Sequence, residues 1–327
     1  MRAIVCKTLG GSAELVEEQI SSPVIGAGSV RVAVHACGIN FADSLIVAGR
    51  YQTRPDLPFI PGFEISGRVL EVAPHVHDVD VGDRVMGILP WGGFADEAVL
   101  PRANVFRIPD RMDYVTAAAF PIAYGTSHGA LDWRGRLRAG EVLLVHGAAG
   151  GVGLTAVEIG KAMGATVIAC AGSDAKLAIA QRHGADHLID YTKENLKERV
   201  LALTDGRGAD VIYDPVGGDV FDASLRCIAP EGRIVVVGFA SGRVPQAPAN
   251  ILLVKNCDVI GFYWGHYRLH RQEAVRRTFE TLFGWFETGR LKPHVSQVLD
   301  LSQAGRAIDT LSQRQSTGKV VLVTGRE

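Results

Sequence analysis

The sequence predicts an α/β protein that combines a β-rich domain with a doubly wound parallel sheet. Three observations lead to this fold class. The chain has 327 residues, more than one hydrophobic core usually accommodates. Its first part contains short strand-like runs bounded by Gly, Pro or Asp. Its middle part alternates continuously apolar strands with helical patterns, which is typical of a parallel sheet buried on both faces.

Residues 1–121 are predicted to form the β-rich domain. Their strand candidates are short runs such as RAIVCK, SVRVAVHACGI, EISGRVLEVA, DRVMGIL and FADEAVL. The loop VAGRYQTRPDLPFIPGFE carries three prolines and two glycines, so we expect a fixed but irregular excursion there. The tail, residues 262–327, contains a long helical stretch and the terminal strand GKVVLVT. We expect this tail to return to the first domain and complete it.

Residues 122–261 are predicted to form the parallel sheet. Six strand-like runs fit two mononucleotide-binding halves. The glycines in KAMGA and QRHGA are expected to end the helices that precede them. The six runs are EVLLVHG, ATVIACAG, DHLIDY, ADVIYDPVG, GRIVVVGFA and NCDVIGF.

A glycine-rich turn after the first of these strands predicts a dinucleotide-binding site. The segment HGAAGGVG departs from the pattern G-x-G-x-x-G at its first position, Ala148, and retains Gly150 and Gly153. Gly150 allows the backbone to approach a pyrophosphate, and Gly153 allows the helix to pack closely. The helix N-terminus then offers N–H groups and partial positive charge. The alternative is a plain glycine-rich turn, because such a pattern alone is a weak signal.

The end of the second strand favours NADPH over NADH. An NAD site usually places Asp or Glu there to bind the ribose 2′-hydroxyl. This chain offers Gly172, Ser173 and Lys176, with Asp174 assigned to the following helix. A hydroxyl and an ammonium suit a 2′-phosphate. The alternative is that Ser173 only caps the helix and Lys176 is a solvated residue of its first turn.

Composition excludes several classes of partner. Lys and Arg (34) nearly balance Asp and Glu (35), so nothing attracts nucleic acid or an anionic membrane. No apolar run approaches the roughly 20 residues that span a bilayer, and the N-terminus does not have the pattern of a secretory signal. The five cysteines are scattered, which indicates a reducing compartment. We therefore expect a cytoplasmic protein whose partner is a small molecule.

Several segments together carry a resemblance to a known family. They are ACGINFADSL, RYQTRPDLPFIPGFE, VGDRVMG, LLVHGAAGGVGLTAVEIGKAMGA, YDPVGG and TGKVVL. The whole chain resembles the medium-chain dehydrogenases/reductases, and most closely the zinc-independent quinone oxidoreductases that include zeta-crystallin. The resemblance implies a GroES-like catalytic domain built from both chain ends, a Rossmann domain, a cleft that holds the nicotinamide, and a homodimer.

The resemblance also implies a set of site residues. Asn40 and Tyr51 would line the nicotinamide and substrate pocket. The other implied cofactor contacts are Ala149, Gly150, Gly151 and Val152 at the pyrophosphate; Gly172, Ser173, Lys176 and Tyr191 around the adenine ribose and its phosphate; Gly238, Phe239, Ala240 and Ser241 on the nicotinamide side; Phe262, Tyr263 and Trp264 after the last strand; and Arg314 and Lys319 near the terminus.

The same resemblance predicts that no metal is bound. Zinc-dependent members of the superfamily use Cys where this chain has Asn40, and His where it has Phe63, next to Glu64. They also carry a second Cys that the segment FPIAYGTSHG does not contain. A catalytic zinc needs about three protein ligands, which this sequence does not supply in register.

Without zinc, the expected chemistry is hydride delivery from NADPH to an electrophilic acceptor, such as a quinone or a conjugated enone. The oxyanion that develops would need hydrogen-bond donors, for which the Tyr51 hydroxyl and the Asn40 amide are candidates. Three alternatives stay open. Tyr51 could be a packing aromatic. The enzyme could reduce 2-alkenals or enoyl thioesters, with the basic run Tyr267–Arg277 binding a carrier phosphate. The chain could be a non-catalytic NADPH-binding protein with a structural or RNA-binding role.

Overall fold

The computed structural model describes residues 1–326, which divide into two compact units. Unit 1 comprises Met1–Ile122 and the described residues from Pro293 onward, and unit 2 comprises Ala123–Lys292. The strands are β1 Arg2–Cys6, β2 Leu15–Gln19, β3 Ser29–Ile39, β4 Glu64–Val72, β5 Arg84–Ile88, β6 Glu97–Pro101, β7 Val105–Arg107, β8 Val142–Val145, β9 Thr166–Ala171, β10 His187–Asp190, β11 Ala209–Asp214, β12 Ile228–Val236, β13 Asp258–Gly261, β14 Val295–Asp300 and β15 Lys319–Val323.

The helices alternate with strands mainly in unit 2. They are α1 Phe41–Val47, α2 Tyr114–Ala118, α3 Pro121–Gly129, α4 Gly151–Ala162, α5 Asp174–Arg182, α6 Leu196–Leu203, α7 Asp219–Cys227, α8 Ala249–Lys255, α9 Trp264–His270, α10 Gln272–Glu287 and α11 Ala304–Ser312. A π-helical turn, Ala130–Arg134, follows α3 directly.

Unit 1 is built on a seven-stranded sheet in the order β14-β15-β3-β4-β5-β7, with β6 also paired to β3. The strand β3 is buried along nearly its whole length, because β15, β4 and β6 all pair with it. The terminal strand β15 runs antiparallel to β3, so the end of the chain is part of the same sheet as its beginning. This pairing places Lys319 beside the end of β3, where Asn40 follows.

Unit 2 contains a six-stranded parallel sheet in the order β10-β9-β8-β11-β12-β13. The predicted doubly wound sheet is therefore confirmed. The strand order reverses between β8 and β11, which is where such folds bind ligands at the carboxyl ends of the strands. Gly164 and Gly184 follow α4 and α5 with φ of 86° and 103°, so the predicted helix ends are also confirmed.

The division between the units differs from the expected domain boundary. Residues 262–292 were expected to belong with the first domain, but they lie in unit 2. The reason is amphipathic packing: α10 buries Val275, Phe279 and Leu282 on one face, with an apolar spacing of three and four residues. Its Thr278 hydroxyl also lies 3.2 Å from His128 Nδ1 on α3. The helix is thereby held within unit 2.

All five cysteines are free and buried. The Cys37 thiol contacts the Gly93 carbonyl oxygen at 2.7 Å, and burial raises its pKa, which favours the unreactive thiol form.

Among residues 1–326, no helix is both long and apolar enough to cross a bilayer.

Candidate functional site

The turn between β8 and α4 is shaped by two glycines. Gly147 has a left-handed φ of 57°, and its carbonyl oxygen accepts the Gly150 N–H at 2.9 Å. A Cβ built on Gly153 would lie only 2.1 Å from that same oxygen, so Gly153 permits the close approach of α4. Ala148, the first position of the glycine pattern, is fully buried and donates its N–H to the Cys170 oxygen. The tight turn is made one residue earlier, at Gly147.

The N-terminus of α4 faces no capping side chain. Its N-cap, Gly150, is extended (φ −79°, ψ 176°) and provides no side-chain acceptor. The first backbone N–H groups of a helix have no partner within the helix, and they carry the positive end of its dipole. Ala149, Gly150, Gly151 and Val152 therefore surround a position suited to a phosphate.

The end of β9 brings together the four residues predicted around the adenine ribose. A Cβ on Gly172 would lie 3.0 Å from the Tyr191 hydroxyl oxygen, so the glycine leaves room for that half-exposed ring. Ser173 is the N-cap of α5, and its hydroxyl accepts the Lys176 N–H at 3.4 Å. The helix-capping role considered for Ser173 is thus observed. Asp174 begins α5, as predicted. Its carboxylate also pairs with the Lys193 ammonium at 2.7 Å.

The loops after β11 and β12 lie side by side at the carboxyl edge of the sheet. The buried Asp214 side chain accepts the N–H groups of Val216 and Gly217 at 2.8 and 2.9 Å. The N–H groups of Ala240 and Ser241 in turn donate to the Pro215 and Val216 carbonyl oxygens at 3.1 and 2.9 Å. The predicted segment Gly238–Ser241, with Phe239 exposed, is therefore held at the same edge as the glycine-rich turn.

The three aromatic residues after β13 do not share one environment. Phe262 stacks on Tyr267 at 5.1 Å between ring centroids, and Trp264 stacks on Trp133 at 5.9 Å. Both Phe262 and Trp264 are buried, whereas the side chain of Tyr263 is 43% exposed. The first and third of the predicted residues thus stabilise the core of unit 2, and Tyr263 alone of the three presents its ring to the surface.

In unit 1, Asn40 lies at the end of β3 and caps α1. Its Nδ2 donates to Glu64 Oε1 at 2.8 Å, and its Oδ1 accepts from Lys319 Nζ at 2.7 Å. A second, longer contact of 3.5 Å joins Nδ2 to the Gly38 oxygen. The amide was expected to donate to a substrate oxygen, but its polar atoms are already engaged within the unit. Asn40 thereby joins the end of β3 to Glu64 and Lys319.

Lys319 is buried, with 5% of its surface exposed. Its ammonium donates to Asn40 Oδ1, Glu64 Oε1 and the Ile39 oxygen, each at 2.7 Å. An ammonium has three donors, so all of them are used. The ammonium therefore has no donor left for the cofactor contact that was expected of Lys319. Arg314, the other residue predicted near the terminus, is exposed after α11 with a left-handed φ of 58°.

Two carboxylates of this cluster were missed by sequence reasoning as site residues. Glu64 is fully buried, and its second oxygen accepts the Ile122 N–H at 2.8 Å, which ties β4 to the start of α3. Asp43 accepts the Asn40 N–H at 2.7 Å, and burial raises the pKa of its carboxyl to about 7. The spacing Asn-x-x-Asp in NFAD is a capping-box pattern that could have revealed Asp43.

Tyr51 lies in the irregular loop after α1. Its ring contacts Phe63 edge to face, with 5.3 Å between centroids, and packs against the unit 1 core. Phe63 directly precedes Glu64 in the chain, so the Tyr51 ring contacts the residue next to one member of the polar cluster.

Comparisons with known proteins agree with this geometry. Residues 26–110 match the family model of the alcohol dehydrogenase GroES-like domain, and residues 151–284 match that of the zinc-binding dehydrogenases. The chain is 46% identical over 326 residues to the quinone oxidoreductase-like protein 2 homolog of Nematostella vectensis, with 99% of this chain and 89% of the relative covered. The chain belongs to the medium-chain dehydrogenase/reductase superfamily.

Two further similarities refine this membership. The quinone oxidoreductase of Pseudomonas aeruginosa is 37% identical over 320 residues, which cover 96% of this chain and 97% of the relative. The solved structure of Escherichia coli quinone oxidoreductase, complexed with NADPH, has a TM-score of 0.92 at 30% identity and covers 99% of this chain and 100% of that one. The predicted family and fold are confirmed, and the chain is an oxidoreductase of the quinone oxidoreductase branch.

The matched family is described as zinc-binding, but the residues of this chain do not suit a zinc site. Within residues 1–326, no group of three or more His, Cys, Asp or Glu side chains could hold a metal ion. The polar cluster of unit 1 already contains a cation, since the Lys319 ammonium contacts both Asn40 and Glu64. The positive charge of that ammonium would repel a divalent metal ion at this position.

We accordingly predict that the purified protein contains no stoichiometric zinc and that prolonged chelation leaves its oxidoreductase rate unchanged. The measurements are metal analysis and the rate before and after dialysis against a chelator. A rate that falls on chelation and returns with added zinc would contradict this prediction.

The basic run considered for a carrier phosphate is divided between two helices. The helix α9 ends at His270 and α10 begins at Gln272, so the run is broken between two helices. Arg268 is buried, and Arg277 pairs with Glu273 at 3.1 Å. Arg268 and Arg277 are therefore not unpaired exposed cations, and the enoyl thioester alternative stays a prediction.

Proposed function

We propose that this protein is a metal-independent, NADPH-dependent oxidoreductase that reduces a quinone or a related conjugated carbonyl compound. The observation that carries the proposal is the composition of the site at the end of β9. Gly172, Ser173, Lys176 and Tyr191 lie together there, and the nearby Asp174 is engaged by Lys193. The similar Escherichia coli enzyme, complexed with NADPH, supports the choice of cofactor.

The residues of unit 2 fit a dinucleotide in three places. The backbone at Gly150 and Gly151 would bind the pyrophosphate, because the N-cap Gly150 makes no side-chain capping hydrogen bond within residues 1–326. The residues after β9 would bind the ribose and its 2′-phosphate. The loop Gly238–Ser241 would lie beside the nicotinamide. When bound, NADPH supplies the hydride.

The residues of unit 1 would serve the acceptor. The Tyr51 hydroxyl would donate a hydrogen bond to the oxygen on which negative charge develops, and such a donor lowers the barrier when it is already in position. Asn40, fixed by Glu64 and Lys319, would hold the end of β3 and the start of α1 in place. Because Tyr51 follows α1, that fixed backbone would also position its loop.

The proposal is tested with a panel of acceptors. Quinones, 2-alkenals and crotonyl thioesters are assayed with NADPH by its absorbance, and we expect quinones to have the highest kcat/KM. A preference for 2-alkenals or thioesters would instead establish the alternative reductase. No oxidation of NADPH with any acceptor, while NADPH binds, would favour a non-catalytic protein. The homodimer and the cytoplasmic location expected from the sequence stay predictions.

Lys176→Ala is expected to weaken NADPH binding by about 10- to 150-fold and to leave NADH binding almost unchanged. A charge-assisted hydrogen bond to phosphate contributes roughly 1.5–3 kcal/mol, which corresponds to that factor. Lys176→Glu should weaken NADPH further, because it places a like charge beside the phosphate. The measurement is Kd for both cofactors at fixed ionic strength.

The exposed Lys197 on α6 provides the matched control. Lys197→Ala removes the same charge from the same unit and should leave both affinities unchanged. The NADPH assignment fails if the wild-type protein prefers NADH, or if Lys176→Ala weakens both cofactors equally.

A further inference from the structure

Two exposed histidines lie one turn apart on the short helix α9. His266 and His270 are four positions apart, and residues with this spacing lie on the same face of a helix. Their imidazole rings contact each other, with 4.5 Å between the ring centroids and 44° between the ring planes. Two histidines at this spacing on one helix face are a known arrangement of transition-metal ligands. The pair therefore has both the spacing and the exposure that a metal site requires.

One of the two rings is restricted by a neighbouring aromatic residue. His266 contacts Tyr267 edge to face, with 5.8 Å between ring centroids. The Tyr267 ring in turn stacks on Phe262 at 5.1 Å and lies 5.0 Å from the Trp133 ring. Because Phe262 is buried, this stack joins the ring beside His266 to the core of unit 2. An imidazole that is restricted in this way loses less rotational freedom when it binds a ligand.

The distance between the rings fits one coordination geometry better than another. A metal ion lies about 2.0–2.1 Å from an imidazole nitrogen, on the line that continues to the ring centroid. Two imidazoles at right angles around the metal therefore have centroids about 4.5 Å apart, whereas a tetrahedral angle separates them by about 5.2 Å. The observed distance is 4.5 Å. Ligands at right angles are typical of the square-planar and tetragonal sites of Cu²⁺ and Ni²⁺.

The surroundings of the pair indicate a site of moderate affinity. All five cysteines, which would compete as softer ligands, are buried. The exposed Arg271 follows His270 directly, and its charge repels a cation. The next exposed carboxylate, Glu273, pairs with Arg277 at 3.1 Å. Two protein ligands beside one guanidinium would bind a metal ion that exchanges readily, so the site agrees with the expectation that the purified protein contains no stoichiometric zinc.

We propose that His266 and His270 form an exchangeable binding site for a late first-row transition-metal dication, with Cu²⁺ preferred over Ni²⁺ and Zn²⁺. The two imidazoles would occupy adjacent positions around the metal ion, and water would complete its coordination. A metal ion that joins them would also cross-link the last turn of α9. The site belongs to unit 2, uses no residue of the Asn40 cluster in unit 1, and goes beyond the proposed reductase activity.

The test is calorimetry with Cu²⁺, Ni²⁺ and Zn²⁺, each alone, in a buffer that does not chelate metal ions. We expect one saturable Cu²⁺ site per chain, with tighter binding of Cu²⁺ than of Ni²⁺ or Zn²⁺. Electron paramagnetic resonance of the bound Cu²⁺ should show two nitrogen ligands. Bound Cu²⁺ should also quench tryptophan fluorescence, because the Trp133 ring lies 5.0 Å from Tyr267, which contacts His266. Binding is measured without NADPH or acceptor, so its outcome is independent of the proposed function.

Three variants locate the site. His266→Ala and His270→Ala should each weaken Cu²⁺ binding by about tenfold or more, because a single imidazole loses the advantage of a second ligand on the same helix. The double variant His75→Ala/His77→Ala removes two other exposed imidazoles, from a turn of unit 1, and should leave the affinity unchanged.

Both positions of the pair are exposed, so the single variants should fold, which circular dichroism checks. Absence of saturable Cu²⁺ binding in the wild type would overturn the proposal. An unchanged Cu²⁺ affinity in either single variant, or an equal loss in the double variant, would do the same.

Discussion

Lys319→Met is expected to lower the free energy of unfolding by about 3–5 kcal/mol, the usual result of removing one partner from a buried ion pair. The ammonium contacts Glu64 Oε1, Asn40 Oδ1 and the Ile39 oxygen at 2.7 Å, and Glu64 is fully buried. Methionine keeps the apolar stem and removes the charge, so the carboxylate is left without its counter-ion. Chemical denaturation of the wild type and the variant measures the difference.

Two further variants separate this effect from a general loss of charge. Lys7→Met removes an exposed lysine that pairs with Glu18 in the same unit, and it should cost less than about 1 kcal/mol. The double variant Lys319→Met/Glu64→Gln removes both charges and should regain a large part of the lost stability. If Lys319→Met costs no more than Lys7→Met, the cluster does not stabilise unit 1 in the way inferred here.

Tyr51→Phe is expected to reduce kcat by about 10- to 1,000-fold while NADPH binding stays nearly intact. The substitution removes one hydroxyl and keeps the ring that contacts Phe63 at 5.3 Å. A donor that acts on the developing oxyanion contributes to the transition state rather than to cofactor affinity, so kcat and Kd should separate. Steady-state rates with a quinone and NADPH titrations provide the two quantities.

The same substitution at Tyr114 is the control for this experiment. Tyr114→Phe also removes a buried hydroxyl from unit 1, but next to His35 rather than in the loop after α1. Its kcat should equal that of the wild type. An unchanged kcat in Tyr51→Phe would return Tyr51 to a packing role.

The sequence by itself determined the parallel sheet of unit 2 and the region proposed to bind the dinucleotide. Continuous apolar strands, helical periodicity and glycines after the helices are local signals, and each depends on a few neighbouring residues. The grouping of Gly172, Ser173 and Lys176 followed from the same local reading, because they adjoin in the chain at the end of β9. Tyr191 was identified through the family resemblance, and the structure places it against Gly172.

The polar cluster and the domain division were decided only by tertiary structure. Asn40, Glu64 and Lys319 are far apart in the chain. The pairing of β15 with β3 brings Lys319 next to Asn40. Composition around each residue does not reveal that pairing, so Lys319 was predicted to contact the cofactor and the Asn40 amide to donate to a substrate oxygen. The segment 262–292 was likewise expected with the first domain, whereas it lies in compact unit 2, where Trp264 contacts Phe279 of α10. Long-range contacts of this kind depend on how distant segments pack, and no local pattern encodes them.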